Sequence, residues 1–240
     1  LEKHGLSGDA NFYDGGSADT GSLYDSVALW DKAGHDPRYK KEDRSDLAEL
    51  LSLIQLAPDE VFYRDIFSLL DKEIFYRWNI HTLLSKSNHQ DWAHNMRLYF
   101  DPSRGKFVIM PWDVGAEYNY SDLGDNVFEQ SWNPLVNRIL KNPEFMAERN
   151  ERLWKYVSDE KNIKDDLAEY DRLYKTVRVA LYQDRIQRFD KRTMDREVKR
   201  YRDVIERQFY YLRDVFAKMN EAAVRTKIIQ IDVPRPEGVP

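Results

Sequence analysis

The sequence predicts an α+β fold, mostly helical, with one short β-hairpin set among amphipathic helices. A change of hydrophobic period carries that expectation. From Asp43 onward apolar residues recur at steps of three and four, as helices with one buried face require. At 96–112 the period gives way to two β-prone runs, MRLYF and KFVIMPW, joined by DPSRG. That connection puts Pro and Gly where a hairpin turn needs them. With 42% hydrophobic residues in 240, the chain can also bury a substantial core.

Taken in order, residues 5–22 are rich in Gly, Ser and Asp and read as loop. GSLYDSVALW (21–30) alternates loosely and reads as a strand. Ser45 is placed to cap a helix with Leu47, Leu50, Leu51 and Ile54 on one face. Pro58, Asp59 and Glu60 start a second helix, with Val61, Ile66, Leu69 and Leu70 inward. Asp71 begins a third, carrying Ile74, Phe75, Trp78, Leu83 and Leu84. After the hairpin, 115–131 is polar loop, and Asn142-Pro143-Glu144 opens a further helix. Most of 160–227 is amphipathic helix, its apolar face running through Val198, Tyr201, Val204, Ile205, Phe209, Leu212, Val215, Phe216 and Met219. The last segment, 228–240, is a short β-prone run followed by prolines, an exit strand and Pro-rich linker. Both ends read as cut from a longer protein: the chain opens mid-pattern at Leu1 and closes in the linker, so additional domains are expected on either side.

The charges nearly balance, 37 basic against 42 acidic for a net −5, which gives no global attraction to nucleic acid. An anionic ligand would need a local cation or a metal. No run approaches the roughly eighteen apolar residues of a membrane span. The absence of cysteine excludes disulfides, thiolate metal sites and cysteine nucleophiles.

The chemistry concentrates in His89 to Gly115, HQDWAHNMRLYFDPSRGKFVIMPWDVG. His89, Asp91, His94 and Asn95 crowd into the seven residues before the hairpin, and Asp113 leaves it. An isolated carboxylate in such a loop is usually a turn or cap residue. Four proton-, metal- or phosphate-binding groups together point instead to a used cluster. Strand ends are also where metal ligands are held over a cleft. Asp113-Val114-Gly115 echoes the Asp-Phe-Gly whose Asp holds magnesium in protein kinases. His89, Asp91 and His94 could alternatively hold zinc or iron for a metal-dependent hydrolase, although their spacing is not that of a helical ligand pair. There is no G-x-S-x-G nucleophile elbow and no G-x-x-x-x-G-K-[ST] phosphate loop.

These residues resemble the spore-coat protein H (CotH-like) family of atypical protein kinases. The resemblance rests on Asp91, the His94-Asn95 pair, R-L-Y-F-D-P-x-x-G-K-F and the P-W-D ending at Asp113, and extends more loosely over most of the chain, through GDANFYDGG and GSLYD. It implies a protein-kinase-like fold in which residues 1–227 form the mostly helical large lobe, the hairpin carries the active-site residues, and the small lobe is largely missing from this chain. It implies ATP-dependent phosphorylation of serine on partner proteins, with ATP and Mg2+ or Mn2+ as cofactors and an extracellular or cell-surface setting. Asp91 matches the catalytic aspartate that accepts or orients the substrate hydroxyl proton. Asp113 and Asn95 match the metal holders, with His89 and His94 as possible supports. The nucleotide-binding lysine and its glutamate are expected before Leu1, so this chain alone should transfer phosphate poorly.

Two positions depart from the pattern. Gly115 stands where the family commonly has a second acid, and Asp91 to Asn95 is one residue shorter than the corresponding span of ordinary protein kinases, so Gln90 or His89 is placed to take part. A noncatalytic kinase-like module of a coat or cell-surface assembly is the reading that the missing acid leaves open.

Overall fold

The computed structural model describes residues 6–15, 22–85, 87, 90, 95–114, 133–184, 186 and 190–231, with side chains in the last helix as far as Met219. The hairpin forms as expected: β3 (Met96–Asp101) pairs antiparallel with β4 (Lys106–Met110) in an unbroken register from Arg97–Met110 to Asp101–Lys106. Its turn is built by Asp101, whose carboxylate accepts from Ser103 N–H at 2.9 Å and whose carbonyl accepts from Gly105 N–H at 2.9 Å. Gly105 has φ +64°, a left-handed conformation that favours glycine.

The hairpin is half of a larger sheet. β1 (Phe12–Gly15) and β2 (Asp31–Gly34) extend it in the order β2-β1-β3-β4, all antiparallel. β1 falls in the stretch read as loop. The strand expected at 21–30 is instead a 3-10 turn at Val27–Leu29, capped by Ser26, whose hydroxyl accepts from Ala28 N–H. Four-residue strands ending in glycine are too short to show a period of two, which is why the sequence concealed them. Gly34 is needed for close approach, because a Cβ there would lie 3.2 Å from both Ala10 O and Phe12 Cβ. Both faces of the sheet are covered. Tyr13, Leu98, Phe107 and Ile109 join the main core, while Tyr99, Val108 and Ala10 pack with Phe12, Ile74 and Met110 on the other side. Burial of both faces explains why β4 reads as a continuous apolar run.

Three helices supply most of that core. In α1 (Ser45–Leu56) the expected Leu47, Leu50, Leu51 and Ile54 are all buried. Ser45 does not cap it. The cap position is Arg44, and Asp43 Oδ1 accepts from Ser45 N–H at 2.9 Å. In α2 (Asp59–Leu69) the fully buried residues are Phe62 and Ile66, with Val61 and Leu69 only partly covered. In α3 (Lys72–Ser85) they are Phe75, Tyr76, Trp78 and Asn79; Ile74, Leu83 and Leu84 are half-buried.

Asp71 joins the helices to the hairpin. Its N–H donates to Phe107 O at 2.8 Å, its Oδ1 accepts from Ile74 N–H at 3.0 Å as the cap of α3, and its Oδ2 accepts from Arg104 at 2.5 Å. Burial alone would raise its pKa, but the bonds from Ile74 and Arg104 outweigh it and hold the carboxyl below the ordinary aspartate range.

Residues 115–131, read as polar loop, lie outside the described residues, and beyond them comes a helix that the sequence reading did not anticipate, α4 (Pro134–Leu140). It is anchored by Arg138, which donates to Ile54 O at 2.6 Å and Ala57 O at 2.5 Å, satisfying carbonyls at the end of α1, and lies 4.0 Å from the Phe62 ring centroid. α5 (Pro143–Val157) starts where expected, with Asn142 Oδ1 accepting from Glu144 N–H at 2.9 Å.

The chain forms two compact units, Leu1–Arg152 and Leu153–Pro240. The second is built from the end of α5 with α6 (Glu160–Gln183) and α7 (Lys191–Ile231). These two helices pair antiparallel: Glu160 meets Arg213, Asp171 meets Arg202, and Tyr174 and Tyr182 both donate to Asp195. Phe209, Leu212 and Phe216 are buried as the periodicity requires, whereas Met219 is exposed. α7 continues to Ile231, so Ile228–Ile231, read as the start of an exit strand, are helical; the linker beyond lies outside the described residues. No described helix is long and apolar enough to cross a membrane.

Replacing Asp71 with Ala should destabilise the chain by about 2 kcal/mol in urea unfolding, from loss of the cap and of a charged hydrogen bond. Because its folded pKa is depressed, the stability it contributes is present above the unfolded value of about 4 and is lost as pH falls through the lower folded value. Asp71→Asn should therefore flatten part of the acid limb of stability against pH.

Candidate active site

The hairpin brings its two flanks together. Asn95 immediately precedes β3 and Asp113 lies three residues beyond β4, and Asn95 Nδ2 donates to Asp113 Oδ2 at 3.1 Å. Eighteen residues apart in sequence, these are the two expected metal holders. Both have left-handed backbones, φ 60° at Asn95 and φ 51° at Asp113, and they are the two non-glycine residues with positive φ among those described. Asn and Asp tolerate this region better than other residues, yet it still costs about 1–2 kcal/mol each. The outcome is a pair of short oxygen-bearing side chains facing each other at the open end of the hairpin. The exposed Asp113 leaves that end accessible to a ligand.

Beneath the pair lies a buried polar network. Gln90, 4% exposed, donates from Nε2 to Asn95 O at 3.1 Å and to Met110 O at 3.0 Å, and its Oε1 accepts from Trp78 Nε1 at 2.6 Å. Asn133 Nδ2 donates to Gln90 O at 3.1 Å, while Asn133 Oδ1 accepts from Leu135 N–H at 3.0 Å as the cap of α4. Helices α3 and α4 are thereby tied to the end of the hairpin. Unmade, such buried polar bonds would cost about 1–3 kcal/mol each.

Beside the pair, Arg97 lies 4.9 Å from the centroid of the half-exposed Trp112 ring and forms an ion pair with Asp14 on β1. Burial lowers the Arg97 pKa, and the guanidinium remains a fixed cation two residues from Asn95. Sequence reasoning quoted Arg97 and Trp112 within the R-L-Y-F and P-W-D motifs but gave neither a role. The signal for Arg97 was a charge between apolar neighbours within a strand.

The other expected site residues, Asp91, His89 and His94, lie outside the described residues, as does Gly115. Among the described residues no three His, Asp or Glu side chains converge as a metal cage. A carboxylate and an amide oxygen nevertheless fit a hard divalent cation, since Mg2+ and Mn2+ are commonly held by one or two protein oxygens together with substrate phosphates and water. The left-handed backbone at Asp113 is testable by itself. Asp113→Gly should be more stable than Asp113→Val by about 1–2 kcal/mol in chemical denaturation, because only the β-branched side chain is strained at φ 51° on an exposed site.

No curated protein matches the chain. The model of one protein family, described as CotH kinase protein, matches residues 1–212 of the 240. The hairpin with its paired Asn95 and Asp113 falls within that match, and the chain belongs to the CotH kinase family.

Proposed function

We propose that the chain carries the metal-holding and catalytic lobe of a kinase that transfers the γ-phosphoryl group of ATP to serine on partner proteins. Family membership supports kinase-like phosphotransfer, and the contact of Asn95 with Asp113 at 3.1 Å is the observation that carries the finer reading. Two residues distant in sequence, both in a costly backbone conformation, meet at an exposed strand end. A purely structural pair gains little from such an arrangement.

In this reading Asp113 and Asn95 hold Mg2+ or Mn2+ through their side-chain oxygens. The bound metal supplies neutralisation of the charge on the phosphoryl oxygens, the main demand of this transfer. Asp91 accepts or orients the proton of the serine hydroxyl and aligns it for attack. Asn95 has a second task, since its amide N–H directs one carboxylate oxygen of Asp113. With glycine at 115, these two side chains carry the metal-holding role without a second acid there. Arg97, held between Asp14 and Trp112, adds positive potential beside the site without being spent on the metal.

The test is phosphorylation by the full natural protein with γ-labelled ATP and Mg2+ or Mn2+. Labelled phosphoserine on the protein itself or on an acceptor such as casein is expected. Asp91→Asn and Asp113→Asn should each lower the rate by about 100-fold or more. Absence of labelling by the wild type, with nucleotide binding unaffected by Asp113→Ala, would sink the kinase reading.

A further inference from the structure

We propose that Gln90 is a positioning residue that sets the separation of Asn95 and Asp113, and through it the affinity of that pair for a divalent cation; this rests on the metal-holding reading of the pair. The β3–β4 ladder ends at Arg97–Met110, two residues after Asn95 and three before Asp113. Gln90 takes over there. One NH2 group bonds both flanks at once, Asn95 O at 3.1 Å and Met110 O at 3.0 Å.

The orientation of this amide follows from its partners. Both flanking groups are carbonyls, which only accept, and the Trp78 indole N–H only donates, at 2.6 Å to Oε1. A flipped amide would set oxygen against two oxygens and N–H against N–H. Side chains of similar size cannot substitute. Methionine lacks both donors, and an ionised glutamate would turn a carboxylate towards the two carbonyls.

Gln90 is itself held in place. Its own backbone carbonyl is held by Asn133 Nδ2 at 3.1 Å, and its side chain holds the carbonyl of Asn95. Gln90 is thereby fixed between α3 and α4 while it holds Asn95. Gln90 touches neither metal nor substrate in this account. It acts through the positions of Asn95 and Asp113, as groups behind metal ligands commonly do.

The experiment measures Mn2+ binding by calorimetry, in the presence of ADP, on the full chain and on its Gln90→Met, Gln90→Glu and Asp113→Asn variants. Circular dichroism and thermal unfolding check that each variant is folded. Gln90→Met should weaken Mn2+ binding about 10-fold to 100-fold while the fold is retained. Gln90→Glu at pH 8 loses both donors to the flanking carbonyls and should weaken Mn2+ binding as Gln90→Met does. In metal-free NMR spectra of both variants the side-chain amide signal of Asn95 should shift while core signals away from the hairpin mouth stay in place, a pattern that a merely structural role would not give. If Gln90→Met binds within about twofold of wild type while Asp113→Asn has lost the metal, positioning by Gln90 is refuted and the metal site stands. If Gln90→Met does not fold, Gln90→Glu at pH 8 decides, and Mn2+ affinity within about twofold of wild type with an unshifted Asn95 side-chain amide refutes the proposal. If Asp113→Asn binds like wild type, the metal site itself is wrong, and the role of Gln90 falls with it.

Discussion

The antiparallel ladder between Arg97–Met110 and Asp101–Lys106 limits how far apart residues 95 and 113 can sit, and the rest of the first unit is arranged to keep that ladder in place. Its turn depends on the left-handed Gly105 and the Asp101 cap. Its outer edge is covered at Phe107 by the α2–α3 junction, where Leu70 pairs parallel to it and Asp71 hydrogen-bonds to its carbonyl. Its other edge is extended by β1, whose Tyr13 donates to Asp46 of α1 at 2.6 Å and so draws the first helix onto the sheet. Burial and the charge of Asp46 both push the Tyr13 pKa up, which keeps that hydroxyl a donor at any physiological pH.

The polar groups inside this unit fall into two kinds. Lys32, whose ammonium reaches Asp43 O at 2.5 Å, and Arg138, which caps α1, hold elements together away from the hairpin mouth. Gln90 and Asn133 instead converge on that mouth. Arg149, buried with its guanidinium 3.2 Å from Asn79 Oδ1, belongs with the first kind; burial lowers its pKa to about 10, so it stays charged near neutral pH. The second unit uses another arrangement, with tyrosine hydroxyls of α6 donating to Asp195 of α7, whose carboxyl these bonds hold below the usual range. Its apolar interior runs through Leu153 and Val157 of α5, Ile163 and Leu167 of α6, and Met194, Phe209, Leu212 and Phe216 of α7.

Long amphipathic helices and the hairpin were legible because they repeat a period over many residues. Leu47, Leu50, Leu51 and Ile54 show this, as does the Pro-Gly turn of β3–β4. β1 and β2 were not, being four residues each and held by neighbours far along the chain. α4 was hidden because seven residues give barely two turns, and its N-cap partner Gln90 is 43 residues away. Asn95 and Asp113 were picked out together through the resemblance, but their hydrogen bond and their left-handed backbones leave no mark in a single sequence. Gln90 shows the sharpest limit. The short span from Asp91 to Asn95 marked Gln90 only as a residue placed to take part, and nothing in the sequence shows its bonding partners at 78, 95, 110 and 133.

The claim on which this account turns is that the open end of the hairpin holds a divalent cation together with nucleotide phosphates. Paramagnetic broadening by Mn2+ in NMR spectra of the full chain, recorded with and without ATP, tests it most directly. The account predicts that at substoichiometric Mn2+ with ATP the side-chain amide of Asn95 and the indole N–H of Trp112 lose intensity first, well before the backbone amides of Ser103 and Gly105 at the opposite end of the hairpin. Broadening centred on the carboxylates of α6 and α7, or spread evenly over all signals, would contradict it.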